Sequence, residues 1–140
     1  MATYNKFNQF TKDLMDGVHQ FGSHSFKVLL TNTAPAATNA VKADLTEISA
    51  DNGYSAGGTA TTMSDSTNSG TAKATATDVT FTASGGSIGP FRYAVLYNDT
   101  PSSPLKPLVG WWDYGAALTL TDGNQFVVDF DGTNGVLTVA

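Results

Sequence analysis

A chain of 140 residues suffices for one domain with its own core. Its 41% hydrophobic content supports that core, while only 14% of residues are charged, well under the usual quarter. Seven basic residues against twelve acidic ones, a formal charge of −5 and no cysteine exclude recognition of a nucleic-acid backbone, a disulfide framework, a thiolate metal site and a thiol nucleophile. No run approaches the roughly 18 apolar residues of a membrane span. The opening residues, with Lys6 and Lys12 among Asn, Gln and Asp, do not read as a secretory signal, so a soluble protein without a membrane partner is expected.

Phe7, Phe10, Leu14, Val18 and Phe21 recur at spacings of three and four, which predicts one N-terminal amphipathic helix over residues 4–20. Thr3 or Asn5 is its candidate N-cap, and Gly17 or Gly22 its stop. Everything after it reads as β. FKVLLT over residues 26–31 is a short apolar strand closed by the Asn32-Thr33-Ala34-Pro35 turn, where proline forbids simple continuation. Residues 32–70 are rich in Thr, Ala, Asn, Ser and Gly, with Val41, Leu45, Ile48, Tyr54 and Met63 as scattered anchors. They read as an extended arm or long loops, which bury too little alone to offset their ordering entropy and so suit lying on a partner.

Residues 71–140 carry the expected core strands. From Thr71 to Thr82 small Ala and polar Thr alternate until Val79 and Phe81 take over the apolar face. Ser84 to Gly89 is a glycine turn without a lysine, so it is no phosphate cradle. Phe91, Tyr93, Val95 and Tyr97 share one face and Ala94 and Leu96 the other, so this strand is apolar on both sides and belongs in the middle of a sheet. A meander follows over residues 117–121, 126–130 and 136–140, with Asp122-Gly123 and Asn134-Gly135 as turns. Phe126, Val128 and Phe130 share a face. Short strands with turn signals about every ten residues, after one helix, indicate a mainly β fold, an antiparallel sandwich or barrel.

Trp111 and Trp112 are adjacent in a strand-like segment, so they point to opposite faces and need separate burial sites. By parity Leu108, Gly110, Trp112 and Tyr114 fall on one side and Val109, Trp111 and Asp113 on the other. Asp113 marks the wetter side, so Trp112 is expected inside and Trp111 nearer the surface, as an interface anchor. Trp111, Trp112 and Tyr114 also fit a stacking platform for sugar, against which stands the ordinary role of strand aromatics as core.

Candidate reactive chemistry is sparse. His19 and His24 lack a companion carboxylate at metal-ligand spacing and read as surface or helix-terminal residues. Asp129, Asp131 and Asn134 faintly resemble a calcium loop but lack its closing bidentate acid, and a hairpin turn accounts for them. No catalytic, cofactor or metal residue is assigned. The interaction residues indicated are Phe7, Phe10 and Leu14 on the helix, Pro104 and Pro107 in the loop before the tryptophans, and Trp111.

Beyond these readings, MATYNKFNQF, FKVLLTNTAPAATNAVKADLTEISADNGYSAGG, DVTFTASGGSIGPFRYAVLYNDT and PLVGWWDYG together resemble the capsid cement, or decoration, proteins encoded among the head genes of tailed bacteriophages. The resemblance spans nearly the whole chain. It implies a β-sandwich of jelly-roll type without catalytic residues or cofactor. It further implies a homodimer on the outer surface of the virion, bound to the major capsid protein and clamping adjacent capsomers. An acidic, lysine-poor surface suits the outside of a particle whose inside holds DNA.

Overall fold

The computed structural model describes residues 2–140. Its elements are β1 (Asn5–Lys6), α1 (Asn8–Met15), β2 (Phe26–Thr31), a 3-10 turn (Lys42–Asp44), β3 (Thr59–Thr61), β4 (Met63–Asn68), β5 (Thr71–Ala76), β6 (Val79–Thr82), β7 (Ile88–Asn98), β8 (Leu108–Leu120), β9 (Gln125–Val128) and β10 (Leu137–Val139). Every sheet pairing is antiparallel. The strands form a five-stranded sheet in the order β1-β8-β7-β2-β3, a three-stranded sheet β10-β5-β4 and the pair β6-β9.

The doubly apolar β7 lies between β8 and β2, inside the large sheet. Ala94 through Asn98 are all buried, as a strand covered on both faces requires. Its partner β2 has the boundaries its apolar run indicated, and Val28, Leu29 and Leu30 are fully buried. Around the β7–β8 hairpin the later strands pair in nested order, β6 with β9 outside it and β5 with β10 outside that. Phe91 against Phe126, with ring centroids 5.0 Å apart, and Trp112 against Phe130, 5.4 Å apart, join the large sheet to the segment running through β9. The molecule is thus mainly β, with antiparallel sheets in an arrangement consistent with a β-sandwich.

The N-terminal segment differs from the expected helix over residues 4–20. Extended residues 5–6 pair with Gly110 and Trp111 of β8, and the helix occupies only Asn8–Met15. Neither Thr3 nor Asn5 caps it: extended Phe7 stands at the N-cap, without a side-chain cap bond. Gly17, at φ +74, ends it, donating its N–H to the Leu14 carbonyl, the left-handed residue that commonly closes a helix. Val18 and Phe21 therefore belong to the following turns. Their three-and-four spacing reflects a return of the chain over its own core.

That return corrects the reading of the histidines. His19 is buried at 5% exposure and packs between Phe10 and Phe21, with centroids 5.1 and 6.1 Å away. Fully buried Asn98 places its side-chain nitrogen 3.2 Å from His19 Nδ1 and 2.9 Å from His24 Nδ1, so its two amide hydrogens can serve one ring each. Burial lowers the His19 pKa from 6.5 to about 4, against the pull of nearby Asp13 and with a smaller push from His24.

The segment 32–70 is also less free than an arm. Residues 59–61 and 63–68 are strands, and the preceding loops are bonded to their own domain. Asn8 N–H donates to the Ala37 carbonyl (2.8 Å), Leu108 N–H to Ala40 (3.0 Å) and Ile48 N–H to Leu30 (3.2 Å). The Glu47 carboxylate accepts from the Tyr54 hydroxyl (2.8 Å) and the Gly57 N–H (2.7 Å) and pairs with Lys42 (3.0 Å). Gly58, at φ +80, lies so close to the Val28 carbonyl that a Cβ would overlap it. These bonds satisfy loop backbone that a draped segment would leave to a partner.

The alternating stretch 71–82 divides at Thr77-Asp78 into β5 and β6. Asp78 accepts the Phe130 N–H at 2.9 Å, linking this corner to the segment after β9.

Candidate functional site

The thirteen-residue β8 organises the site. Val95 pairs with Trp111 and Ala94 with Trp112, and since cross-strand partners share a face, the two tryptophans point to opposite sides of the sheet. Trp111 meets Phe7, with ring centroids 4.6 Å apart; Trp112 stands between Tyr4 at 5.6 Å and Phe130 at 5.4 Å. Gly110 permits this crossing, because a Cβ there would overlap the Tyr4 ring and lie 2.7 Å from the Asn5 carbonyl oxygen.

Both tryptophans are half-buried. Trp112 is therefore not enclosed as expected, and burial does not set Trp111 apart as the outer member of the pair. The cause is the N-terminal segment, whose pairing with β8 sets Phe7 on Trp111, while the segment opposite Trp112 stops short of covering it.

What it leaves is a cleft of about 540 Å³. Its walls are Tyr4, Phe91 and Trp112 on one side and Phe126 and Phe130 on the other, with Leu30 and Val136 also lining it. Tyr114, 57% exposed, stands edge-on to Phe126 with centroids 5.6 Å apart. Arg92 makes two bonds to Asp113, Nε to Oδ1 at 2.8 Å and an Nη2 bond to Oδ2 at 3.0 Å, a planar fork of charge-assisted hydrogen bonds. That guanidinium and the Gly115 N–H hold the Asp113 carboxyl below the usual carboxylate range. The Tyr4 hydroxyl donates to the Val109 carbonyl at 3.3 Å, and burial raises its pKa.

Asp129 and Asp131 complete the lining. The Asp131 carboxylate accepts the Asn134 N–H (2.8 Å), the Asn134 side-chain amide (2.8 Å) and the Thr133 N–H (2.9 Å). Those bonds, with a smaller contribution from Lys73, hold its carboxyl low. The oxygens that resembled a calcium loop thus close a turn. Among the described residues no group of three or more His, Asp or Glu side chains is arranged to hold a metal.

One flank of β8 is open. β1 pairs with it only at Gly110 and Trp111, so among the described residues no strand lies on that side of residues 112–120; on the other side β7 pairs at Trp112, Asp113, Leu118 and Leu120, and the register jumps across residues 114–117.

The residues expected to form an interaction surface do not form one exposed patch, although Phe7 and Trp111 are in contact. Phe7 is fully buried and Phe10 nearly so, both in the protein's own core. Leu14 is half-buried beside a second hollow that Phe21, Leu137 and Val139 also line. Pro107 is buried where residue 107 bridges to Val41, and Pro104 is half-buried in a loop whose outermost apolar residue is Leu105, 61% exposed. None of these six residues lines the cleft.

Sequence reasoning gave no binding role to Tyr4, Arg92, Phe126 or Phe130 of the lining and weighed Asp129 only as a calcium-loop oxygen. The shared face of Phe126 and Phe130 was visible as alternation; Tyr4 looked like the first turn of a helix. The lining offers aromatic side chains, the carboxylates of Asp129 and Asp131 and the paired guanidinium of Arg92. Compared with protein-family models, curated proteins and solved structures, the chain matches none.

Proposed function

We propose that this chain is a structural capsid decoration protein. It binds the outer surface of the assembled major-capsid-protein shell of a tailed bacteriophage, as a homodimer and without cofactor, and stabilises that shell. The observation that carries the reading is the open flank of β8 over residues 112–120, beside exposed Tyr114. A long uncovered edge is a hazard for an isolated protein and an asset for one that is covered by another chain.

The nested pairing of β7 with β8, β6 with β9 and β5 with β10 supports a jelly-roll type of sandwich, since it is the wiring of a hairpin rolled on itself. The charge of −5 on a surface poor in lysine suits the outside of a nucleic-acid container. A protein that binds only the assembled lattice stabilises it by mass action, and many copies add their contributions. Particles assembled without this chain are expected to lose their DNA at lower temperature than complete ones, and re-addition restores them. Unchanged thermal release would refute the reading.

The aromatic lining of the cleft, with Trp112 and exposed Tyr114, favours one second reading, a glycan- or receptor-binding module on the virion surface. Saturable binding on a glycan array would support it over the shell-stabilising role.

A further inference from the structure

We propose that the cleft between Trp112 and Phe126–Phe130 receives a basic side chain, arginine or lysine, presented by a partner protein. That the partner is the shell protein rests on the function proposed above; the chemistry of the cleft does not.

Aromatic residues dominate the cleft: Tyr4 and Trp112 on one wall, Phe126 and Phe130 on the other, with Tyr114 beside Phe126. Ring faces carry negative potential and attract cations, guanidinium above all. The polar groups are mostly engaged within the chain. Arg92 and Asp113 satisfy each other in a two-bond fork, the Tyr4 hydroxyl bonds Val109, and the Asp131 carboxylate holds its turn with Lys73 close by.

Asp129 differs. It is exposed, it lines the cleft, and among the described residues no ion pair engages it. The cleft therefore presents the free carboxylate of Asp129 beside aromatic faces, with that of Asp131 held by neutral amide donors rather than by a cation. Among the described residues its one basic lining residue, Arg92, is already paired. An anion would meet that charge unfavourably. A neutral sugar would find few free groups among the donors and acceptors it needs. A cation with an apolar stem matches both the charge and the rings.

The test uses N-acetyl-arginine methylamide as probe, its citrulline counterpart as the uncharged isostere and methyl glucoside as the sugar. Because the chain has two tryptophans, a Trp111→Phe background leaves Trp112 as the sole tryptophan fluorophore. Amide-resolved NMR on the unmodified protein provides a readout independent of that variant's folding. The arginine probe is expected to change Trp112 fluorescence saturably and to shift the Trp112 indole and the amides of residues 126–131. Its binding should weaken with salt. Asp129→Asn should weaken it about three- to five-fold, the scale of a single exposed ion pair, while Asp122→Asn, an equal charge change outside the cleft lining, should leave it unaltered.

Equal binding of the citrulline probe, a response to the glucoside alone, equal weakening by both Asn variants, or no response to the arginine probe would each overturn the assignment. Arginine binding by a protein that leaves shells unbound would refute the shell partner and keep the cleft. Shell binding by a protein deaf to the arginine probe would do the reverse.

Discussion

Acidification should destabilise this protein through His19 before its carboxylates titrate. In the unfolded chain the imidazole titrates near 6.5, and in the fold burial lowers that to about 4. Between those values the unfolded state binds the extra proton, so stability falls as pH falls. The His19 contribution is complete above pH 6.5, shrinks as pH drops toward 4 and is lost below. At about 1.4 kcal/mol per pH unit, that span corresponds to about 3 kcal/mol, a large share of the 5–15 kcal/mol typical of a domain. The geometry explains the direction: the ring is wedged between Phe10 and Phe21, its Nδ1 faces a donor on Asn98, and its buried Nε2 has no partner among the described residues.

Urea unfolding at a series of pH values from 7.5 to 4, on the natural protein and on His19→Gln, measures the effect. The difference between the two should change by about 3 kcal/mol across the range, while effects of other titrating groups cancel. Asp13→Asn, which removes the one nearby charge favouring the imidazolium, should lower the His19 pKa further, as read by NMR of the ring. A stability difference that stays flat from pH 7.5 to 4 would refute the reasoning.

Three further outcomes are expected. Tyr97→Phe removes the hydroxyl that donates to the Gly57 carbonyl at 2.6 Å and should cost about 1–3 kcal/mol in chemical denaturation, the penalty for an acceptor left unpaired in the interior. Gly110→Ala sets a methyl against the Tyr4 ring and the Asn5 carbonyl. It should cost about 1–3 kcal/mol and raise hydrogen exchange at Asn5–Lys6 more than elsewhere. Phe7→Ala and Trp111→Ala remove the two halves of one aromatic contact. Each should lower stability, and the double variant should be less damaging than their sum by about 0.5–1.5 kcal/mol; strict additivity would mean the rings do not interact.

The strands were legible where local pattern and burial coincide. β2 begins at Phe26 and ends at Thr31 because its apolar run ends where the turn chemistry starts, and β7 is central because both of its faces are apolar. The opposition of the tryptophans follows from strand parity alone. The helix was misjudged because periodicity alone detects neither the pairing of Asn5 and Lys6 with β8 nor the left-handed stop at Gly17. Of the reading of residues 32–70 as an arm or long loops, the loops were legible, whereas β3, β4 and anchors such as Leu108 to Ala40 and Tyr54 to Glu47 are long-range and leave no periodic trace. The cleft was half legible: Trp112, Tyr114 and the Phe126–Phe130 face stood out, but Tyr4 and Asp129 join them only through tertiary packing.

Co-sedimentation tests the proposed binding to an assembled capsid shell. Purified protein is mixed with expanded empty shells of the tailed phage proposed to carry it and, separately, with the unassembled major capsid protein, and bound protein is quantified against concentration. Saturable, stoichiometric pelleting with the shells and none with the free subunit is expected. Absence of binding to shells at saturating protein would contradict it.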